Sequence, residues 1–147
     1  MDRRRIEGLR WHLGLTNLAV KDCEGRSGGL AIFWRKGVKF HLRAASRLYI
    51  DGEVEDDDGS FWRLTGFYGK PKSYRKELSW SAMRTLNVAS AVVRRPCLCL
   101  GDFNEILLSH EKEGGLPRPQ VCMDRFREAL EACGLVDLGF TGDIFTW

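Results

Sequence analysis

At 147 residues, 44% hydrophobic and 29% charged, the chain has the size and composition of one ordinary globular domain with a core. No apolar run nears the roughly 20 residues of a bilayer span, and no apolar stretch follows the N-terminal arginines, which argues against a membrane protein or a secretory leader. Five cysteines without a C-x-x-C pair argue against a disulfide scaffold or zinc finger, so reduced thiols, an intracellular site (nuclear or cytoplasmic) and no disulfide-linked partner are expected.

In chain order, Ile6, Leu9 and Leu13 recur at spacings of three and four on an arginine-rich background, predicting an amphipathic helix over 2–13. Gly25-Arg26-Ser27-Gly28-Gly29 is turn chemistry, and Leu30–Trp34 after it predicts a buried strand. Lys36-Gly37 marks a second turn before a more polar strand over Val38–Ala44. Tyr49–Glu55 and Phe61–Tyr68 flank Asp56-Asp57-Asp58-Gly59, whose Asp-Gly step favours a hairpin; Trp62, Leu64, Gly66 and Tyr68 then share a face. Past Gly69-Lys70-Pro71 the period changes, and Leu78, Ala82, Leu86, Ala89 and Val93 form a helical stripe closed by Pro96. Cys97–Leu100 suits an interior strand. A Pro-rich loop over Leu116–Gln120 leads to a second helix marked by Met123, Phe126, Leu130 and Cys133, with Gly134 at its C′ position. The closing residues 137–147 look like the entry to a strand. Interspersed strands and helices with a hairpin give an α/β class with mixed sheets, in one domain or part of one.

Charge is segregated along the chain. Residues 1–50 hold eleven Lys/Arg against four Asp/Glu, and 70–100 hold seven against one. Residues 51–69 hold one against six, and 101–147 four against nine. Such blocks are either unrelated solvated faces, or basic surfaces for a polyanion beside acidic groups for a cation.

One stretch carries chemistry. In Cys97-Leu98-Cys99-Leu100-Gly101-Asp102-Phe103-Asn104-Glu105 an apolar strand ends in Asp-x-Asn, which aims two polar side chains at the rim of a sheet. A carboxylate there can orient and deprotonate a water or sit near a hard cation, and an amide can hold that carboxylate and a phosphate oxygen together. An Asx turn that merely ends a strand has the same pattern.

Five pieces extend the pattern: Arg26–Trp34 (RSGGLAIFW), Arg63–Pro71 (RLTGFYGKP), Gly101–Leu107 (GDFNEIL), Glu113–Pro119 (EGGLPRP), and Gly134–Phe140 (GLVDLGF) running on to Phe145-Thr146-Trp147. In this order they resemble the endonuclease/exonuclease/phosphatase superfamily, most closely the endonuclease domain of plant LINE-type (non-LTR) retrotransposons. The resemblance implies a two-sheet β-sandwich flanked by helices, a Mg²⁺-dependent phosphodiesterase site at the strand ends, and DNA as partner. It assigns Asp102 to aligning the attacking water, Asn104 to orienting it and binding phosphate, and Tyr68 to contacting the scissile phosphate. Thr146, Lys70 and Lys72 are its nucleic-acid-binding candidates.

The family's metal-binding Glu and its Ser-Asp-His motif have no counterpart in the 147 residues, so the metal ligands are unknown, with Asp102 nearby. The expectation is therefore a single partial domain over 1–147, incomplete at both ends and inactive by itself. The alternatives are a phosphatase or phosphodiesterase acting on small phosphate esters, and a non-catalytic nucleic-acid-binding remnant. His12, His41 and His110 are expected at the surface or in packing, Glu105 to point away from the site, and Asp56-Asp57-Asp58 to be a solvated turn.

Overall fold

The computed structural model describes residues 3–22, 29–89, 94–139 and 141–142. They divide between two compact units, one drawn from Met1–Tyr68 and Val92–Asp102, the other from Gly69–Ala91 and Phe103–Trp147. The elements are α1 (Arg3–His12), β1 (Asn17–Lys21), β2 (Leu30–Trp34), β3 (Lys39–Ala45), β4 (Tyr49–Glu55), β5 (Phe61–Tyr68), α2 (Lys76–Ala89), β6 (Cys97–Asp102) and α3 (Gln120–Ala132), with short 3₁₀ turns at Ser73–Arg75 and Ser109–Glu111. Among the described residues no helix is long and apolar enough to cross a membrane.

All six strands lie in the first unit and make two sheets, as the α/β sandwich class requires. β1 and β2 form an antiparallel pair, with Asn17 opposite Trp34 and Lys21 opposite Leu30. The second sheet runs β3-β4-β5-β6, antiparallel except for the last pair. The hairpin between β4 and β5 closes where Gly59 takes φ +80, a conformation open to glycine, and donates its N–H to the Asp56 carbonyl at 3.0 Å. Asp58 accepts from the Ser60 N–H at 2.8 Å and Asp56 from Trp62 Nε1 at 3.2 Å, so the acidic tip is an exposed, self-bonded turn.

Pleating places alternate residues of this hairpin on two faces. Ile50 and Val54, opposite Gly66 and Trp62, lie on the face toward β2, where a Cβ on Gly66 would sit 3.3 Å from Ile32 Cδ1. Gly52 leaves room for the Phe40 ring, which packs on Trp34 with centroids 5.0 Å apart. These apolar contacts make the sandwich interior. The opposite face holds buried polar residues: Arg63 Nε donates to Asp51 Oδ1 at 2.6 Å and Thr65 Oγ1 donates to the same oxygen at 2.7 Å. A buried charge pair survives only with such added hydrogen bonds. Burial pushes the nearby Cys97 thiol above its usual value, against the pull of Arg63.

Several expectations are corrected here. Of the stripe in α1 Ile6 is buried, but Leu9 is 52% exposed and Leu13 is exposed too, so the stripe as a whole does not face a core. β2 has the expected limits but is half-buried, because it belongs to a two-stranded sheet. β1 was not anticipated. Among the described residues β6 is an edge strand with Leu98 and Leu100 exposed, since β5 alone pairs with it. The turn at 25–28 lies outside the described residues, and of the strand entry expected over 137–147 the described residues 137–139 and 141–142 form no strand while 140 and 143–147 lie outside them.

The second unit packs α2 on α3 through Trp80, whose ring stacks on Phe126 at 4.8 Å. The buried face of α2 is Lys76, Ser79, Trp80, Met83 and Leu86, which shares Leu86 alone with the predicted stripe; Leu78 is 56% exposed, and Val93 lies outside the described residues. α3 buries Met123, Phe126 and Ala129. It ends in a Schellman arrangement, with Gly134 at φ +65, its N–H on the Glu131 carbonyl and the Leu135 N–H on that of Leu130.

Candidate active site

The first unit holds the ends of two parallel strands. In the β5–β6 register Tyr68 stands opposite Asp102, the last residue of each strand. Tyr68 is half-buried and its N–H bonds to the Leu48 carbonyl at 2.8 Å; Asp102 is exposed. The strands approach so closely that a Cβ at Gly101 (φ +141) would stand 1.9 Å from the Phe67 carbonyl oxygen. The glycine before Asp102 is therefore a steric requirement of the sheet.

Asn104 belongs to the second unit. It is the single non-glycine residue with positive φ (54°) among the described residues. Strand alternation therefore does not set the direction of its side chain, as the Asp-x-Asn spacing suggested; instead Nδ2 donates to the Gly69 carbonyl at 2.9 Å. Gly69 permits this approach, because a Cβ there would lie 2.1 Å from the Phe103 carbonyl oxygen. Backbone strain of this kind persists where surrounding contacts over-determine it.

Those contacts come from three side chains, Lys76, Glu105 and Arg118, that the sequence patterns did not single out as functional. Lys76, 6% exposed, donates from Nζ to the Phe103 carbonyl at 3.3 Å and also to that of Asn104. Glu105, with a side chain 1% exposed, accepts from Arg118 Nε at 2.6 Å, and its other oxygen accepts from Arg118 Nη2; Lys76 Nζ lies 3.8 Å away. The Glu105 hydrogen bond raises the Arg118 guanidinium further above its ordinary range. The one sequence signal was Arg118 inside the Glu113–Pro119 piece.

The remaining candidates fall elsewhere. Lys70 is half-buried and Lys72 exposed, both on the loop before α2, and Thr146 lies outside the described residues. His41 Nε2 meets Glu55 at 3.4 Å, His12 Nδ1 meets the Gly8 carbonyl at 3.3 Å, and His110 is exposed on its 3₁₀ turn.

The family model described as Endonuclease/Exonuclease/phosphatase family matches residues 6–147. The chain belongs to this family. No curated protein matches the chain significantly. Endonuclease/exonuclease/phosphatase proteins are in general divalent-metal-dependent phosphodiesterases and phosphatases. Among the described residues no three His, Cys, Asp or Glu side chains lie together to hold such an ion. Glu105, the carboxylate adjoining the motif, has both oxygens on Arg118.

Proposed function

We propose that these 147 residues are part of one domain of a DNA endonuclease of the LINE retroelement type, carrying the water- and phosphate-orienting groups of its phosphodiesterase site. The observation that supports this reading is the register of Tyr68 against Asp102 at the ends of adjacent parallel strands. In it, Asp102 orients the attacking water, Asn104 positions that water and the phosphate, and the Tyr68 phenol donates to a phosphate oxygen. Lys70, Lys72 and Thr146 contact the nucleic acid, largely at the backbone, which gives affinity without sequence preference.

The lack of a metal-holding cluster among the described residues favours a second reading for these residues by themselves, a nucleic-acid binder without catalysis. Groups that act as a unit lose most of their effect when one is removed, so partial activity is not expected. The test is plasmid nicking and p-nitrophenyl phosphate hydrolysis by the 147-residue chain with Mg²⁺, beside Asp102→Ala and with DNA binding measured across a salt series. Expected are salt-sensitive DNA binding and no turnover. Nicking abolished by Asp102→Ala would refute inactivity, hydrolysis of the small ester alone would favour the phosphatase alternative, and failure to bind DNA would overturn the nuclease assignment.

A further inference from the structure

The loop entering α2 reads Lys70-Pro71-Lys72-Ser73-Tyr74-Arg75-Lys76, four cations and no acid in seven residues. Lys76 is buried and committed to the Asn104 turn, and of the others Lys72 and Arg75 lie against one aromatic residue, Tyr74. Tyr74 is 74% exposed, although tyrosine usually buries its ring against apolar neighbours. Lys72 Nζ and Arg75 Cζ both lie over its ring, 5.9 Å and 5.5 Å from the centroid.

The loop is held in this shape. The Lys70 N–H donates to Ser79 Oγ at 2.8 Å, the Arg75 N–H to the Lys72 carbonyl at 2.9 Å, and the Lys76 N–H to the Ser73 carbonyl. Arg118 Nη1 donates to Ser73 Oγ at 3.3 Å. The turn thus presents Tyr74 outward without an ordering cost at the moment of binding. The adjoining acid, Glu77, is paired with Arg84 Nη1 at 2.8 Å.

We propose that residues 70–75 form a binding platform for single-stranded nucleic acid, in which Tyr74 stacks on an unpaired base while Lys72 and Arg75 meet the neighbouring phosphates. This rests on the nucleic-acid part of the proposed function and not on its catalytic part. A simple polyanion site needs cations alone, and a lipid surface needs several apolar side chains beside them. A largely exposed aromatic ring with cations against it, which an incoming base can displace onto its phosphates, matches a chain that alternates flat bases with phosphates. The base must be unpaired, because duplex stacking hides its face.

The experiment is fluorescence anisotropy of the 147-residue protein with labelled oligo(dT) and oligo(U) of about twelve nucleotides, a hairpin duplex, and heparin as competitor. Tyr74→Ala is expected to weaken single-strand binding about tenfold while duplex and heparin binding change by less than about twofold, and Tyr74→Phe to retain affinity. Lys72→Gln with Arg75→Gln should weaken every ligand and flatten the single-strand salt slope by about 1.4. Loss on both oligonucleotides identifies the shared base-and-phosphate chemistry; loss on one assigns that nucleic acid. Unchanged binding by Tyr74→Ala, or equal loss on heparin and duplex, overturns the platform. Wild-type protein that binds duplex but no single strand also overturns it, and leaves the endonuclease reading standing.

Discussion

Replacing Lys76 by Met tests what holds Asn104 in its left-handed turn. Met keeps most of the apolar stem but removes the ammonium that serves the Phe103 and Asn104 carbonyls and sits 3.8 Å from Glu105. A buried carbonyl left without a donor costs about 1–3 kcal/mol. Breaking a buried ion pair outright costs about 3–5 kcal/mol, but Glu105 keeps two hydrogen bonds from Arg118, so its share is smaller. The sum expected is about 3 kcal/mol, or roughly 6–12 °C in melting temperature for a chain of this size. Urea unfolding followed by tryptophan fluorescence measures it, with Glu105→Gln and the double variant completing a cycle whose coupling should exceed about 0.5 kcal/mol. The side-chain amide signals of Asn104 should shift in Lys76→Met, as should those of the Trp80 indole under the Lys76 ammonium, while those of the Trp62 indole on the β4–β5 hairpin stay. A loss below about 0.5 kcal/mol with unchanged Asn104 signals would show that the turn does not depend on Lys76.

Gly101→Ala should cost more than about 4 kcal/mol, because the new Cβ meets the Phe67 carbonyl of the paired strand; a melt within about 2 °C of wild type would contradict this. The Glu55 carboxyl, held below its ordinary 4.5 chiefly by the Lys39 hydrogen bond and further by His41, should titrate low by NMR and rise in Lys39→Met. Because its folded value is depressed, that stabilisation is present above about pH 4.5 and fades as pH falls through the folded value; an unmoved midpoint in the variant would remove the ion pair from the account. On α2, Leu78→Ala should stay within about 0.5 kcal/mol while Trp80→Ala loses about 3–5 kcal/mol, and comparable losses would contradict the buried face described above.

β4, β5 and β2 were legible to the residue because turn chemistry brackets runs of β-branched and aromatic side chains, and α3 because its apolar spacing and Gly134 agree. The face of α2 was misread because two of its buried positions are polar. Ser79 Oγ accepts the Lys70 N–H and Lys76 serves two carbonyls, and neither role registers in a count of apolar residues. An apolar run such as Cys97–Leu100 announces a strand but not how many neighbours it has, so its edge position was invisible. Tyr68, Asp102 and Asn104 were named from motif order. Lys76 and Arg118 escaped notice because their part depends on contacts across 28 and 13 residues of chain.

The parallel pairing of β5 with β6 sets an order of events for the newly made chain. The β3-β4-β5 meander pairs neighbours in sequence and can zip up by itself, whereas β6 joins only after the excursion over 69–96 has been traversed and its loop entropy met. Asp102 therefore reaches its place opposite Tyr68 among the last steps, so pulse-labelled exchange should protect the amides of β4 well before those of β6.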